Sequence, residues 1–173
     1  SHWFMKFGGS EGGKGVQFPG KPQRKGRRYF QKRVDSQGYS ALFLANGHDF
    51  RIIGLNQLEQ LAVPQNPFLF LGARNGISMN PDQMPALTKT LDYLVKKTGL
   101  KGLGSLDFVL DETGFPLILE INPRPSATSA LYDDAFEGGL LKAHLEACQG
   151  KRLPPSQELV EFRGFRVILA EKD

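Results

Sequence analysis

The sequence holds one cysteine, Cys148, and three histidines in 173 residues. A single thiol forms no internal disulfide and no cysteine-based zinc cluster, so a reducing cytoplasm is the expected compartment. No apolar run approaches the ~18 residues of a membrane span, and no signal-peptide pattern is visible. No membrane partner is therefore expected. Disorder is excluded, because 40% of the residues are hydrophobic and 23% charged. A chain of this length buries roughly 70% of its unfolded surface, which suffices for one core.

Acids are missing from one stretch. Between Lys21 and Arg33 lie seven basic residues (Lys21, Arg24, Lys25, Arg27, Arg28, Lys32, Arg33) and no aspartate or glutamate. The net charge is +4, and the remaining 15 basic and 18 acidic residues leave the rest of the chain at −3. Such a run is a solvated face or a polyanion site, and its neighbours decide which.

Glycine, by contrast, is abundant, at 20 residues against the usual ~7%. Six of them fall between Gly8 and Gly20, directly after the strand-like run His2–Phe7. Further strand-like runs are Tyr29–Val34, Tyr39–Ala45 and Arg51–Leu55, the last two joined by an Asn46-Gly47 hairpin turn. Pro64 and Pro67 mark a loop before Phe68–Leu71. Asn80-Pro81-Asp82 predicts a helix start, with Met84, Leu87, Leu91 and Leu94 at helical spacing and a stop at Gly99.

Strands at Ser105–Leu110 and Leu117–Ile121 flank the turn Asp111-Glu112-Thr113-Gly114. A second helix over 139–149 carries Leu140, Leu141, His144, Leu145 and Cys148 on or near one face, and Glu161–Leu169 reads as a last strand. Strands outnumber helices and hairpins alternate with single helices. The predicted class is α+β, with a largely antiparallel sheet and packed helices.

Two patterns carry chemistry. Lys6 at a strand end precedes Gly8-Gly9-Ser10-Glu11-Gly12-Gly13-Lys14-Gly15. Small residues let backbone N–H groups approach phosphate oxygens, and the ammonium adds charge. The spacing is not that of a Walker loop, and such loops also serve as plain connectors. The second pattern is Asp107 with Glu120 and Asn122. Glu120 and Asn122 share a sheet face because strand periodicity is two, and Asp107 joins them if the register pairs it near Asn122. Two carboxylates and an amide suit a hard cation such as Mg²⁺, with a solvent-facing strand surface as the equal alternative.

Together the patterns resemble the C-terminal part of the ATP-grasp carboxylate–amine ligases. The residues concerned are Phe4-Met5-Lys6 with Gly12–Gly15, Phe30-Gln31-Lys32-Arg33-Val34, and Asp107 with Glu120-Ile121-Asn122-Pro123-Arg124. The spacing from Asp107 to Glu120 and the E-x-N-x-R end are the specific part. The likeness runs from Trp3 to about Gly150 and is greatest in style to carboligases related to biotin carboxylase.

The resemblance implies an ATP-grasp-like fold, incomplete at the N-terminus. Residues 1–56 would carry the glycine-rich loop and hinge strands, and 57–173 the metal-site part. Lys6 would bind phosphates and Gly8, Gly9, Ser10, Gly12 and Gly13 would close over them. Gln31 takes the place of a family glutamate near the adenine amino group, with Lys32 and Val34 offering backbone groups to the base. Asp107, Glu120 and Asn122 would hold Mg²⁺, with Mn²⁺ as an alternative ion. Arg124, with Lys6, would stabilise the transferred phosphoryl group.

The implied reaction joins a small-molecule carboxylate to an amine or similar nucleophile through an acyl-phosphate, using ATP. One departure is Gly38, where the family has a ribose-binding carboxylate; Asp35 or Gln37 would have to substitute. The upstream lysine and substrate domain have no counterpart, so the chain alone is expected to lack turnover.

The remaining candidates are minor. Arg74 between glycines is a weaker phosphate or carboxylate clamp. Cys148 reads as a packing residue, His48 as turn surface and His144 as a helix-side residue without a partner. A nucleotide-binding regulatory module without turnover is the first alternative. A nucleic-acid binder using Lys21–Arg33 with Tyr29 and Phe30 is the second and less favoured. The pattern sets no oligomeric state.

Overall fold

Buried apolar residues on both faces of one strand organise the chain. In the computed structural model, which describes residues 2–8, 15–20, 26–63, 66–155 and 162–167, that strand is β4 (Gly38–Asn46). Leu42 and Leu44 pack on one face, and Ala41, Phe43 and Ala45 on the other, all fully buried. Strands covered on both sides read as continuous apolar runs, as Tyr39–Ala45 does.

β4 lies centrally in a six-stranded sheet ordered β8-β7-β4-β5-β6-β9, with β5 Phe50–Val63, β6 Asn66–Arg74, β7 Lys101–Leu110, β8 Pro116–Asn122 and β9 Gly164–Arg166. A smaller sheet, ordered β2-β1-β3, comprises β1 Trp3–Phe7, β2 Val16–Gln17 and β3 Arg28–Lys32. Every pairing among the described strands is antiparallel. The α+β class with a largely antiparallel sheet and packed helices holds. The change of sheet falls between Lys32 and Gly38, whereas residue 56 lies within β5.

Helix α1 (Met84–Thr98) buries Leu87, Leu91 and Val95 against the Phe43 face. Each such aliphatic side chain contributes about 1.5–3 kcal/mol of burial. A 3₁₀ segment (Ala127–Ala135) and helix α2 (Leu140–Cys148) cover the Leu42–Leu44 face with Leu131, Tyr132, Leu140, Ala143 and Ala147. No described helix is long and apolar enough to cross a membrane.

Several expectations shift. Asn80–Gln83 is a hydrogen-bonded turn, with Gln83 N–H donating to the Asn80 carbonyl at 2.9 Å, and the helix begins only at Met84. Pro85 lacks the N–H that would donate to the Pro81 carbonyl, so the ladder cannot start earlier. Gly99, with φ 66°, is the left-handed cap that ends α1 as predicted. On α2 the buried positions are Leu140, Ala143 and Ala147, while Leu141 and Leu145 face solvent. Alanines let the helix approach β7 closely, so the smaller side chains form the contact.

His144 is not without a partner, because its Nδ1 accepts the Leu103 N–H at 2.9 Å. Cys148 is an exposed residue, with its Sγ lying 3.8 Å from His144 Nε2. His48 is turn surface, its N–H bonded to Asn46 Oδ1 at 3.1 Å. Of the final strand expected at 161–169, three residues, Gly164–Arg166, pair with β6, and 161, 168 and 169 lie outside the described residues.

Candidate functional site

The hairpin β7–β8 assembles the acidic pattern. Its turn is tied by Asp111, whose Oδ1 accepts the Thr113 and Phe115 N–H groups at 2.9 and 2.8 Å, and Gly114 takes φ 82°. Register then sets Asp107 opposite Glu120 and Ser105 opposite Asn122, with an irregularity directly after Asp107. Asp107 thus pairs with Glu120, not with Asn122. Asn122 still reaches it, donating from Nδ2 to Asp107 Oδ2 at 3.1 Å.

β4 supplies the other side of Asp107, because Ser40 is its partner in the β4–β7 ladder. Burial pushes the Asp107 carboxyl up to about 6, the Ser40 hydroxyl opposes that, the Glu120 charge adds to it, and Asn122 and Ser105 oppose it. Like charges directly opposite on neighbouring strands are destabilising. Two carboxylates held face to face beside an amide oxygen therefore fit a divalent cation that takes oxygen ligands. Among the described residues no group of three or more His, Cys, Asp or Glu gathers, so the set is two carboxylates and an amide.

A cavity of about 370 Å³ opens above this hairpin, between the two sheets. From the small sheet it is lined by Lys6, Gln31 and Lys32, followed by Val34. From the large sheet come Asp107, Glu120 and Asn122, with Arg124 just beyond. Those eight sequence-predicted residues, separated by up to 118 positions, meet in one space. Its volume is in the range of small-molecule sites. Phe4 joins the sheets, stacking edge-on to Phe68 of β6 at 5.0 Å.

Other predicted residues stand elsewhere. The Gly8 N–H is committed to the Arg27 carbonyl at 2.9 Å, closing the base of the glycine loop with the Phe7–Gly15 bond at 3.1 Å. Gly9, Ser10, Gly12 and Gly13 lie outside the described residues, as do Lys21, Arg24 and Lys25. Arg74 donates to Gln57 Oε1 at 2.5 Å across β5 and β6 and does not line the cavity. Of the residues considered as substitutes at Gly38, Asp35 pairs with Arg33 at 2.5 Å. Gln37 donates to the Leu58 carbonyl, also at 2.5 Å.

The cavity also contains residues that sequence reasoning passed over. Ser40 and Ser105 are buried beside Asp107, and Gln60 stands next to Gly38. Ser126 and Thr128 share a hydroxyl hydrogen bond of 2.7 Å at the far end. The readable signal for the serines was a small polar residue inside an otherwise apolar strand pattern.

The fold and this arrangement define a class of two-sheet proteins with a charged cleft between the sheets, and the comparisons give it a family. The model of the ATP-grasp domain family matches residues 5–128, and the chain belongs to that family. It superimposes on N5-carboxyaminoimidazole synthetase from Staphylococcus aureus, solved with ADP, at TM-score 0.75 and 17% identity, over 96% of this chain and 46% of that one. Phosphoribosylamine–glycine ligase from Thermotoga maritima gives 0.72 and 20%, over 94% and 48%. The biotin carboxylase domain of 2-oxoglutarate carboxylase from Hydrogenobacter thermophilus, solved with MgADP and bicarbonate, gives 0.70 and 17%, over 91% and 38%. The chain thus spans less than half of each of these structures. No curated protein matches it in sequence.

Proposed function

We propose that the chain is the nucleotide-holding and phosphoryl-transfer part of an ATP-dependent ligase. The observation that carries this reading is the convergence of Lys6, Gln31 and Lys32 from one sheet with Asp107, Glu120, Asn122 and Arg124 of the other on a single cavity. Lys6 would meet phosphate oxygens, and Gln31 with the Lys32 and Val34 backbone would meet the base. Asp107, Glu120 and Asn122 would hold Mg²⁺, which supplies charge neutralisation between phosphates when bound. Arg124 offers a planar guanidinium to the transferred group.

Phosphoryl transfer needs positioning and charge stabilisation rather than a protein nucleophile. In the proposed reaction a substrate carboxylate oxygen bonds to the γ-phosphorus, the bond to the bridging oxygen breaks and ADP leaves. An amine then bonds to the acyl carbon, inorganic phosphate departs and the nitrogen loses a proton. The solved structures with this fold, two of them holding ADP, support a nucleotide in the cleft.

A second reading, nucleotide binding without turnover, draws on Gly38 and on the engagement of Asp35 and Gln37 elsewhere. Calorimetry with ATP tests the first step. Saturable binding that needs Mg²⁺ and is lost in Asp107→Asn is expected, and equal heats without Mg²⁺ or in that variant would sink the proposal. ADP release by the longest polypeptide that contains this chain separates the two readings.

A further inference from the structure

A second cavity, of about 410 Å³, is lined by Arg51, Arg152, Leu153, Pro154 and Pro155. It lies at the opposite end of the large sheet. β5 runs from Arg51 here to Gln60 in the first cavity, and that length of strand spans roughly 30 Å.

The β4–β5 turn and the stretch after α2 build it. Asn46 Nδ2 donates to the Lys151 carbonyl at 3.1 Å, which brings Arg152 beside the start of β5. Lys101 lies alongside, its Nζ 3.3 Å from where a Cβ on Gly150 would stand. Among the described residues no carboxylate pairs with Arg51, Arg152 or Lys101. The acid closest along α2, Glu146, is already committed to Lys151 at 3.9 Å. Arg51 Nε is buried and, among the described residues, meets no acceptor.

A buried donor on a charged group without an acceptor is costly, and so is a gathering of like charges. An anion in the cavity offsets the gathered positive charge of the Arg51 and Arg152 guanidinium groups that line it. A phosphate dianion neutralises two guanidinium groups where a carboxylate neutralises one, and guanidinium forks match its oxygens. Two consecutive prolines hold the facing wall in fixed geometry.

We propose that Arg51, Arg152 and Lys101 form an anion site for a phosphate group, free or esterified, separate from the nucleotide cleft. Arginine Nε–H signals in ¹⁵N NMR read it directly, with sodium phosphate titrated at constant ionic strength. Saturable shifts of the Arg51 Nε–H and of the Arg152 and Leu153 amides are expected. The same shifts should persist in Lys6→Ala, and Arg152→Gln should weaken the affinity about tenfold.

Shifts that do not saturate, that chloride reproduces, or that are confined to the first cavity overturn the proposal. Arg51→Met gives an independent check. Phosphate should raise the Tm of the parent chain but not of this variant, and an equal rise in both overturns the site. Phenyl phosphate and vesicles containing phosphatidic acid, run in parallel, assign the group to a soluble ester or a lipid headgroup.

Discussion

Asn122 donates its amide N–H to the carboxylate of Asp107 across the β7–β8 hairpin, at 3.1 Å. The bond fixes which way the amide points. Its nitrogen is committed to Asp107, leaving its oxygen available beside two carboxylates.

Stability should depend on pH, because burial of Asp107 outweighs the opposing Asn122 hydrogen bond. The Asp107 carboxyl titrates near 6 in the fold against an ordinary 3.8. Between those values the native state binds more protons, so stability from this group is complete below about pH 4 and is lost as pH rises through about 6. In chelated buffer Asp107→Asn should match the parent near pH 4 and exceed it by about 2–3 kcal/mol near pH 8. Denaturant titrations at both pH values check this, and a difference independent of pH contradicts it.

Adding a divalent cation should reverse that order. Mg²⁺ near pH 8 is expected to raise the Tm of the parent chain, chelation to remove the rise, and Asp107→Asn with Glu120→Gln to abolish it. An identical rise in the double variant would show that the ion binds elsewhere.

Substitution of Lys6 should change affinity more than folding. Lys6→Met keeps the aliphatic stem and loses the charge, so ATP affinity should fall about 10–100-fold with the circular dichroism spectrum unchanged. Calorimetry decides, and an unaltered affinity would remove Lys6 from the phosphate role.

Gly54 tests the packing behind the site. A Cβ there would collide with Tyr132 Oη, which itself donates to Asn56 Oδ1 at 2.8 Å. Gly54→Ala should cost about 1–3 kcal/mol. A variant as stable as the parent would mean that Tyr132 moves aside freely.

The two faces of α2 should respond in opposite ways. Leu141→Gln, on the solvent side, should change stability by no more than about 0.5 kcal/mol. Ala143→Leu, on the β7 side, should destabilise by about 1–3 kcal/mol. Equal effects in thermal melts would contradict the burial pattern.

How much was legible follows from these residues. The β7–β8 hairpin was readable because alternation and an Asp-Glu-Thr-Gly turn are local signals. Its register was not, because the irregularity after Asp107 depends on how two strands meet. The α2 face was misjudged since leucines outweigh alanines in any hydrophobic pattern, while close approach favours Ala143 and Ala147. The extra length of β5 carries Gln57, Glu59 and Gln60, polar residues that a strand accepts once its neighbours pair with it. The cavity residues Ser40 and Ser105 were hidden for a related reason: a hydroxyl among apolar residues gains meaning only when a carboxylate is found opposite.

The short Asp111–Gly114 turn also bears on the order of assembly. Asp107 and Asn122 are only 15 positions apart, so closing their loop costs little entropy. Lys6 and Arg124 line the same cavity from more than a hundred positions apart, and gathering them closes a far longer loop at a larger entropic cost. The acidic cluster would then exist before the cleft has its second wall, and a cation present during folding would bind a half-built site and steer the remainder onto it.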